Sequence, residues 1–246
     1  TDWEHKMLKM GYGSNLIKIP IDIKNFRYWN TDTPWLYQIQ VKVYDETDSL
    51  TDTRIQQFGM RSFTMDTVNI PKGRMFINGE MVRLRGANTM GHEQQCVIRK
   101  DWNQLRDDIL LAKLCNMNYL RFTQRPVQSE VYDYCDMLGL MNQTDLPLFG
   151  SIRRTQFAEA IKQVGEMEQL VRKHPSTIMV TYINERFPNA EGFPHRSLST
   201  QEEYLRLFTA MDQAVHMANP DRIIKAGDGD YDPPAPGLPD NHCYNT

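Results

Sequence analysis

The sequence predicts a multidomain β plus α/β protein, in which a small antiparallel sandwich precedes a parallel sheet with helical crossovers. Residues 1–69 contain short segments where apolar and polar residues alternate, the period of a half-buried strand, and no segment of helical period. In residues 70–246, strand-like and helix-like segments alternate five times, which is typical of parallel strands joined by helices. We therefore predict a domain boundary between residues 69 and 70.

The N-terminal part contains three predicted strands. In LIKIPIDIK (16–24) and LYQIQVKVY (36–44), every second residue is apolar. A third run extends from Arg54 to Phe63, and Gly59 inside it is a candidate β-bulge. These strands fit an immunoglobulin-like β-sandwich. Since such sandwiches usually need about 100 residues, we expect this one to be partial.

The C-terminal part contains five predicted strands and the start of a sixth, at 81–88, 118–123, 140–145, 177–183, 222–228 and 242–244. Helical periodicity fills the intervening segments at 101–117, 129–138, 157–170 and after Thr200. Three signals mark helix ends. Asp101 is a candidate N-cap, Gly139 occupies a C′ position, and Thr200 with Glu203 forms a capping box.

Two architectures agree with this alternation. A doubly wound sheet could consist of five or six strands, whereas a TIM (β/α)8 barrel needs about 250 residues and cannot close within residues 70–246. The first strand is followed by RGANTMGHEQ, which lacks the G-x-G-x-x-G fingerprint of dinucleotide-binding sheets, and the chain has no P-loop. In the barrel alternative, residues 70–246 form a truncated barrel from strand one to about strand six.

The composition argues against several function classes. The chain has 28 Lys and Arg against 31 Asp and Glu, and this net charge of −3 does not favour nucleic acid or an anionic membrane as a partner. No apolar run approaches the roughly 18 residues of a membrane span. The chain begins at Thr1 and shows no targeting segment, so no compartment is predicted, and a periplasmic or secreted location stays open.

The four cysteines are Cys96, Cys115, Cys135 and Cys243. They are scattered and lack CxxC spacing, so neither a metal site nor a disulfide framework is predicted. Cys115 and Cys135 fall within helical patterns, where a small buried thiol is expected.

Polar residues end every predicted strand of the C-terminal part. Because the C-terminal ends of parallel strands meet at one face, these side chains are expected to surround one opening, which carries the active site in barrels. The residues are Arg85 and Asn88, Arg121 and Gln124, Asp145, Asn184 and Glu185, Asp228 and Asp230, and His242 and Tyr244. Asp228 and Asp230 are equally well explained as turn residues.

Several of these segments resemble those of one enzyme family. HPSTIMVTYINE resembles the HPS–strand–NE segment of glycoside hydrolase family 2, the family of β-galactosidases, β-glucuronidases and β-mannosidases. WNTDTPWLYQIQVKV is similar to the W-x-x-x-x-P-x-L-Y segment of its immunoglobulin-like domain, and FGMRSF to the motif leading into its barrel. FINGEMVRLRGAN, NMNYLRF and YDYCDMLGL resemble barrel strand one, strand two and the helix before strand three. They occur in the family's order and cover nearly the whole chain.

The resemblance implies retaining hydrolysis of terminal β-glycosidic bonds by two carboxylates, without a cofactor. It implies that Glu185 is the general acid/base, that Asn184 hydrogen-bonds the sugar 2-hydroxyl, and that Arg121 keeps the nucleophilic carboxylate ionised. It further implies a carbohydrate-binding site completed by Asn88, Asp145, His242 and Tyr244, of which the last two are most similar to the β-mannosidase branch. Asp145 is also explained as an aspartate that begins a loop.

The resemblance also has gaps. The family's nucleophile is a glutamate at the end of strand seven, and no residue of this chain stands in that position, so we expect an internal fragment that is inactive alone. Met90 and Gln124 stand where galactosidase-type members have histidines, and Asp145 where many have glutamate. These departures leave open the sugar and the metal site of the galactosidase branch. The sequence does not decide whether the full-length parent forms a homo-oligomer.

Two other interpretations compete with a glycosidase. One is a non-catalytic carbohydrate-binding or scaffolding protein descended from such an enzyme. The sequence that follows Thr246 separates the two, because a strand ending in glutamate favours the enzyme. The other is a complete doubly wound α/β enzyme with a fused sandwich, which would require the strand order to reverse within the sheet.

Overall fold

The computed structural model describes residues 7–8, 11–15, 17–150, 152–184 and 201–227. Its named strands form a two-stranded hairpin, a three-stranded antiparallel sheet and a five-stranded parallel sheet. Among the described residues, no helix combines the length and the apolar character that crossing a bilayer requires.

The hairpin consists of β1 (Tyr37–Tyr44) and β2 (Leu50–Phe58), which pair antiparallel as the alternation predicts. By contrast, the strand predicted at 16–24 is wrong for its described part, since residues 17–24 form no strand. Ile17, Ile19 and Ile21 are exposed there. Alternation alone does not make a strand, because the backbone also needs a neighbour with which to exchange hydrogen bonds.

The three-stranded sheet consists of β3 (Phe63–Asp66), β4 (Arg74–Ile77) and β5 (Glu80–Val82), in that order. It was not predicted, because its strands are only three or four residues long and show little periodicity. The single strand predicted at 81–88 is divided between β5 and the first strand of the parallel sheet.

Gly59 lies in the break between β2 and β3, so the predicted continuous run from Arg54 to Phe63 is wrong. A Cβ atom on Gly59 would come within 2.5 Å of Pro175 Cγ, so the glycine permits a close approach and does not form a bulge. Beside it, Arg61 donates hydrogen bonds to the backbone oxygens of Pro175 and Thr177 at 2.7 and 2.6 Å. The segment after the hairpin is thereby tied to the parallel sheet.

The parallel sheet consists of β6 (Gly86–Thr89), β7 (Tyr119–Phe122), β8 (Met141–Asp145), β9 (Thr177–Ile183) and β10 (Ile223–Gly227). Each strand pairs in parallel with the next one along the chain, and the order does not reverse anywhere in the described sheet. A doubly wound sheet requires such a reversal. The order is that of consecutive barrel strands, so the doubly wound alternative is wrong.

The helices are α1 (His92–Arg99), α2 (Trp102–Leu114), α3 (Ser129–Leu138), α4 (Phe157–Val171) and α5 (Gln201–Ala218). Asp101 caps α2 by accepting a hydrogen bond from the Gln104 backbone N–H at 3.0 Å, and Gly139 ends α3 with a φ of 72°. Both signals are confirmed. The short helix α1 was not predicted.

The main apolar core lies between the parallel sheet and the helices. Leu105 and Ile109 of α2, Tyr132 of α3 and Phe208 of α5 are fully buried within it. Cys135 is buried in the same core, as predicted, whereas Cys115 is exposed. Cys115 caps the end of α2, beyond the turns that face the sheet.

Candidate active site

Four predicted site residues lie together at the end of the sheet that is formed by the C-terminal ends of its parallel strands. Asn88 in β6 pairs in register with Arg121 in β7. Asp145 ends β8, and Asn184 directly follows β9. Arg121, Asp145 and Asn184 are buried, and Arg121 contacts both of the other two, whereas Asn88 is exposed.

Arg121 and Asp145 form a buried ion pair at the C-terminal ends of β7 and β8. Arg121 Nε lies 3.1 Å from both carboxylate oxygens of Asp145, and Nη2 lies 2.6 Å from Oδ2. The Gln124 backbone N–H also donates to Oδ2, at 3.1 Å. The two charged side chains are only 3% and 0% exposed, so their pairing offsets part of the hydration that both lose on burial.

Asn184 is held both by its backbone and by its side chain. Its backbone N–H donates to the Leu148 oxygen at 2.9 Å, and its backbone oxygen accepts from Gly150 at 3.1 Å. Arg121 Nη2 donates to Asn184 Oδ1 at 2.9 Å. Because a guanidinium can only donate, the amide oxygen must face Arg121 and the NH2 group is turned away from it.

A second layer of polar side chains lies next to the Arg121–Asp145 pair, further from the C-terminal ends of the strands. Gln143 accepts a hydrogen bond from the Tyr119 hydroxyl and donates to the Thr181 hydroxyl. Gln143 Nε2 also lies 3.5 Å from Asp145 Oδ1. Sequence reasoning did not identify these three residues. The available signal was β8 itself, MNQTD, which is fully buried although four of its five residues are polar.

Lys225 in β10 is buried on the face of the sheet that also carries Gln143 and Thr181. Its neighbour Ile224 packs into the core beneath the helices, so Lys225 projects to the opposite face. Lys225 pairs in register with Thr181, which pairs with Asp145. Lys225 is 1% exposed, and among the described residues its Nζ has no hydrogen-bond partner.

We expect Lys225→Met to raise the melting temperature, because a buried ammonium without a partner costs several kcal/mol and methionine has a similar length. Each kcal/mol gained should add roughly 2–4 °C in a thermal unfolding scan. Lys162→Met is the control, since Lys162 is 63% exposed and its replacement should change little. A lower melting temperature for Lys225→Met would instead place a partner for the ammonium outside the described residues.

Some predicted positions differ or are not described. Arg85 precedes β6 and donates to the Asn116 backbone oxygen at 3.0 Å, so it lies at the N-terminal end of the parallel strands. Its predicted place among the side chains at the C-terminal ends is therefore wrong. The strand residues of β6 begin only at Gly86, which explains the error. Glu185, Asp228, Asp230, His242 and Tyr244 lie outside the described residues.

At the opposite end of the sheet, Asp133, Asp136 and His174 present possible metal-ligand atoms within 4.8 Å of one another. His174 Nδ1 lies 2.6 Å from Asp136 Oδ2, closer than the about 3.3 Å between two ligands that each lie near 2.0 Å from one tetrahedral metal. The other Asp136 oxygen accepts from the Ser176 backbone N–H at 3.0 Å. These contacts are those of a hydrogen-bonded link between α3 and the start of β9.

Comparison with known proteins identifies the family. The family model described as "Glycosyl hydrolases family 2, TIM barrel domain" matches residues 68–233, about two thirds of the chain. A second model, "Glycosyl hydrolases family 2", matches residues 4–61. A β-galactosidase of Alteromonas mediterranea is 25% identical over 174 residues, which are 67% of this chain and 16% of that protein. A putative β-glucuronidase of Formosa agariphila is 27% identical over 206 residues, which are 82% of this chain and 24% of that protein.

The solved structures agree on the fold. The β-glucuronidase of Parabacteroides merdae superposes with a TM-score of 0.69 at 21% identity, over 84% of this chain and 26% of that chain. The β-glucuronidase 3 of Bacteroides uniformis gives 0.67 at 20% identity, over 84% and 25%. The chain thus spans about a quarter or less of the length of these relatives. Matched by family models over both its hairpin region and its parallel sheet, the chain belongs to glycosyl hydrolases family 2.

Proposed function

We propose that this chain contributes the general acid/base to the active site of a retaining β-glycosidase. The observation that carries the proposal is the hydrogen bond from Arg121 to Asn184 Oδ1 at 2.9 Å. It fixes the amide so that its NH2 group, a donor, is directed away from the guanidinium. An amide donor at the carboxyl end of a parallel strand suits a sugar hydroxyl, and strengthening of a bond to the 2-hydroxyl lowers the barrier of glycoside hydrolysis.

Glu185 follows Asn184 directly and is proposed as the general acid/base. A carboxylic acid can protonate the leaving glycosidic oxygen only if it remains protonated near neutral pH. A water-poor site and a second carboxylate both favour the protonated form. A retaining mechanism then needs a nucleophilic carboxylate about 5–5.5 Å away, and Glu185 changes from acid to base in the second step.

The ion pair suggests a division of roles between Arg121 and Asp145. Asp145 is fully buried and is proposed to orient Arg121, in place of the direct sugar contact expected from the sequence. Arg121 in turn positions Asn184 and supplies positive charge next to the nucleophile. Asn88, His242 and Tyr244 remain proposed contacts to the substrate.

The substrate class follows from the family and not from the described geometry. Relatives that this chain matches are named β-galactosidases and a putative β-glucuronidase, which supports a terminal β-linked sugar as substrate. No further partner or cofactor is proposed for this reaction. We also retain residues 1–69 and 70–246 as the proposed extents of the sandwich and barrel domains.

The test uses the protein that carries this sequence at its natural length. Aryl β-D-galactosides, β-D-glucuronides and β-D-mannosides are supplied, and proton NMR follows the anomer released first. We expect one sugar class to be hydrolysed with the β-anomer as the first product. Release of the α-anomer would contradict the retaining mechanism, and sugar binding without turnover would favour the non-catalytic interpretation.

A further inference from the structure

The side-chain amide of Gln143 connects β8 to both neighbouring strands, next to the Arg121–Asp145 pair. Its nitrogen lies 3.5 Å from Asp145 Oδ1, and an ionised carboxylate can only accept hydrogen bonds. The NH2 group of the amide therefore faces Asp145. The amide oxygen then accepts from the Tyr119 hydroxyl of β7, and the nitrogen also donates to the Thr181 hydroxyl of β9. Both the oxygen and the nitrogen of this amide thus have partners.

Gln143 is enclosed on both sides along β8. It is 2% exposed, and Met141, two residues earlier, packs in an apolar cluster with Trp29 and Phe63. Met141, Gln143 and Asp145 project from the same face of the sheet, because side chains alternate along a strand. Gln143 therefore lies between this apolar cluster and the ion pair. A hydrogen bond lost at this depth is not replaced by one to bulk water, so a polar group left unpaired there is costly.

Three contacts lead from Gln143 to the amide that is proposed to bind the sugar. Asp145 Oδ1 faces Gln143 and also lies 3.1 Å from Arg121 Nε. Arg121 Nη2 in turn donates to Asn184 Oδ1 at 2.9 Å. Because a guanidinium is planar and rigid, a displaced carboxylate turns the whole group, and this turn changes the direction of the Asn184 amide.

We propose that Gln143 is a positioning residue for the glycosidase reaction. Its hydrogen bonds fix the carboxylate of Asp145, which holds Arg121 and thereby the amide of Asn184. Gln143 itself does not touch the sugar. The inference rests on the proposed function, since it assigns Gln143 a part in that same site. Side chains that bind a transition state must be held to within about 0.5 Å, and buried hydrogen-bonded neighbours provide this precision.

The test uses Gln143→Met in the protein that carries this sequence at its natural length. Methionine has a similar length but makes none of the hydrogen bonds of the amide. On the aryl β-glycoside that the wild type hydrolyses, we expect kcat to fall by roughly 10²-fold, the loss that a displacement of about 1 Å can cause. KM should change little, because the bond to the 2-hydroxyl strengthens mainly in the transition state.

The 2-deoxy analogue of the same glycoside separates positioning from a general loss of structure. It lacks the hydroxyl that Asn184 is proposed to bind, so Gln143→Met and the wild type should hydrolyse it with nearly equal kcat, after subtraction of the uncatalysed rate. Tyr119→Phe is a milder second variant, because it removes only the hydroxyl that donates to the Gln143 oxygen. It should show the same pattern with a smaller loss, and it keeps the test decisive if Gln143→Met does not fold.

Asn142→Leu is the matched control. Asn142 is a fully buried amide of the same strand, bonded to the Ser176 and Thr177 hydroxyls at 2.9 and 2.8 Å. These partners lie at the start of β9, at the opposite end of that strand from Asn184. Asn142→Leu should therefore lower the melting temperature about as much as Gln143→Met, yet leave the ratio of kcat on the 2-hydroxy and 2-deoxy glycosides unchanged.

Equal losses of kcat on the two glycosides in Gln143→Met and Tyr119→Phe would overturn the positioning role and leave the proposed function standing. An unchanged kcat on the 2-hydroxy glycoside in both variants would overturn it as well. Failure of the proposed function has a different signature, because the wild type itself would then hydrolyse no β-glycoside, and Gln143 would have no reaction to serve.

Discussion

Glu185→Gln should slow hydrolysis of natural β-glycosides by roughly 10²–10⁴-fold in the protein that carries this sequence at its natural length. Glutamine keeps the size of the side chain but can act neither as an acid nor as a base. Natural glycosides have poor leaving groups that must be protonated to depart, so the loss is that of general acid catalysis. Initial rates on a natural disaccharide measure it, and Glu166→Gln, an exposed helix position, is the control.

The same variant should behave differently on an aryl glycoside with a good leaving group. Its first step needs little acid assistance and should be largely retained, while the second step lacks its base and the covalent intermediate should accumulate. Azide needs no base, so adding it should restore turnover and yield the β-glycosyl azide. Equal losses on both substrates without azide rescue would mean that Glu185 is not the acid/base.

The parallel sheet was largely predictable because its signals are local. The run from Thr177 to Ile183 is a fully buried strand, as its unbroken apolar and β-branched composition indicates. The cap at Asp101 and the stop at Gly139 depend on neighbouring backbone groups only, and both are present. The failures concern pairing partners. The run 16–24 has the period of a strand, yet its described part has no neighbouring strand, and the short β3–β5 sheet has almost no period of its own.

The candidate site was predictable in position but not in its contacts. The C-terminal ends of parallel strands must converge, so the sequence predicts that Arg121 and Asn184 lie at the same end of the sheet. That Arg121 pairs with Asp145 depends on side-chain directions in two different strands, which a linear sequence does not specify. Gln143 and Lys225 were missed for a related reason, because both are polar residues that are buried here, and a polar residue in a sequence normally indicates a surface position.

Arg121→Met should be among the most destabilising single substitutions in the chain. It removes the guanidinium that pairs with the fully buried carboxylate of Asp145, and breaking a buried pair from one side typically costs about 3–5 kcal/mol. At roughly 2–4 °C for each kcal/mol, the melting temperature should fall by about 6–20 °C. Urea denaturation followed by circular dichroism gives the free energy of unfolding directly.

Arg106→Met is the matched control for this prediction. Arg106 also pairs with an aspartate, Asp107, at 2.7 Å, but the two side chains are 47% and 59% exposed, and an exposed pair contributes about 0–1 kcal/mol. The double variant Arg121→Met with Asp145→Leu should recover much of the loss, because both charges of the pair are then replaced by apolar groups. If Arg121→Met costs no more than Arg106→Met, or if the double variant is less stable than Arg121→Met alone, then the cost does not arise from breaking the Arg121–Asp145 pair.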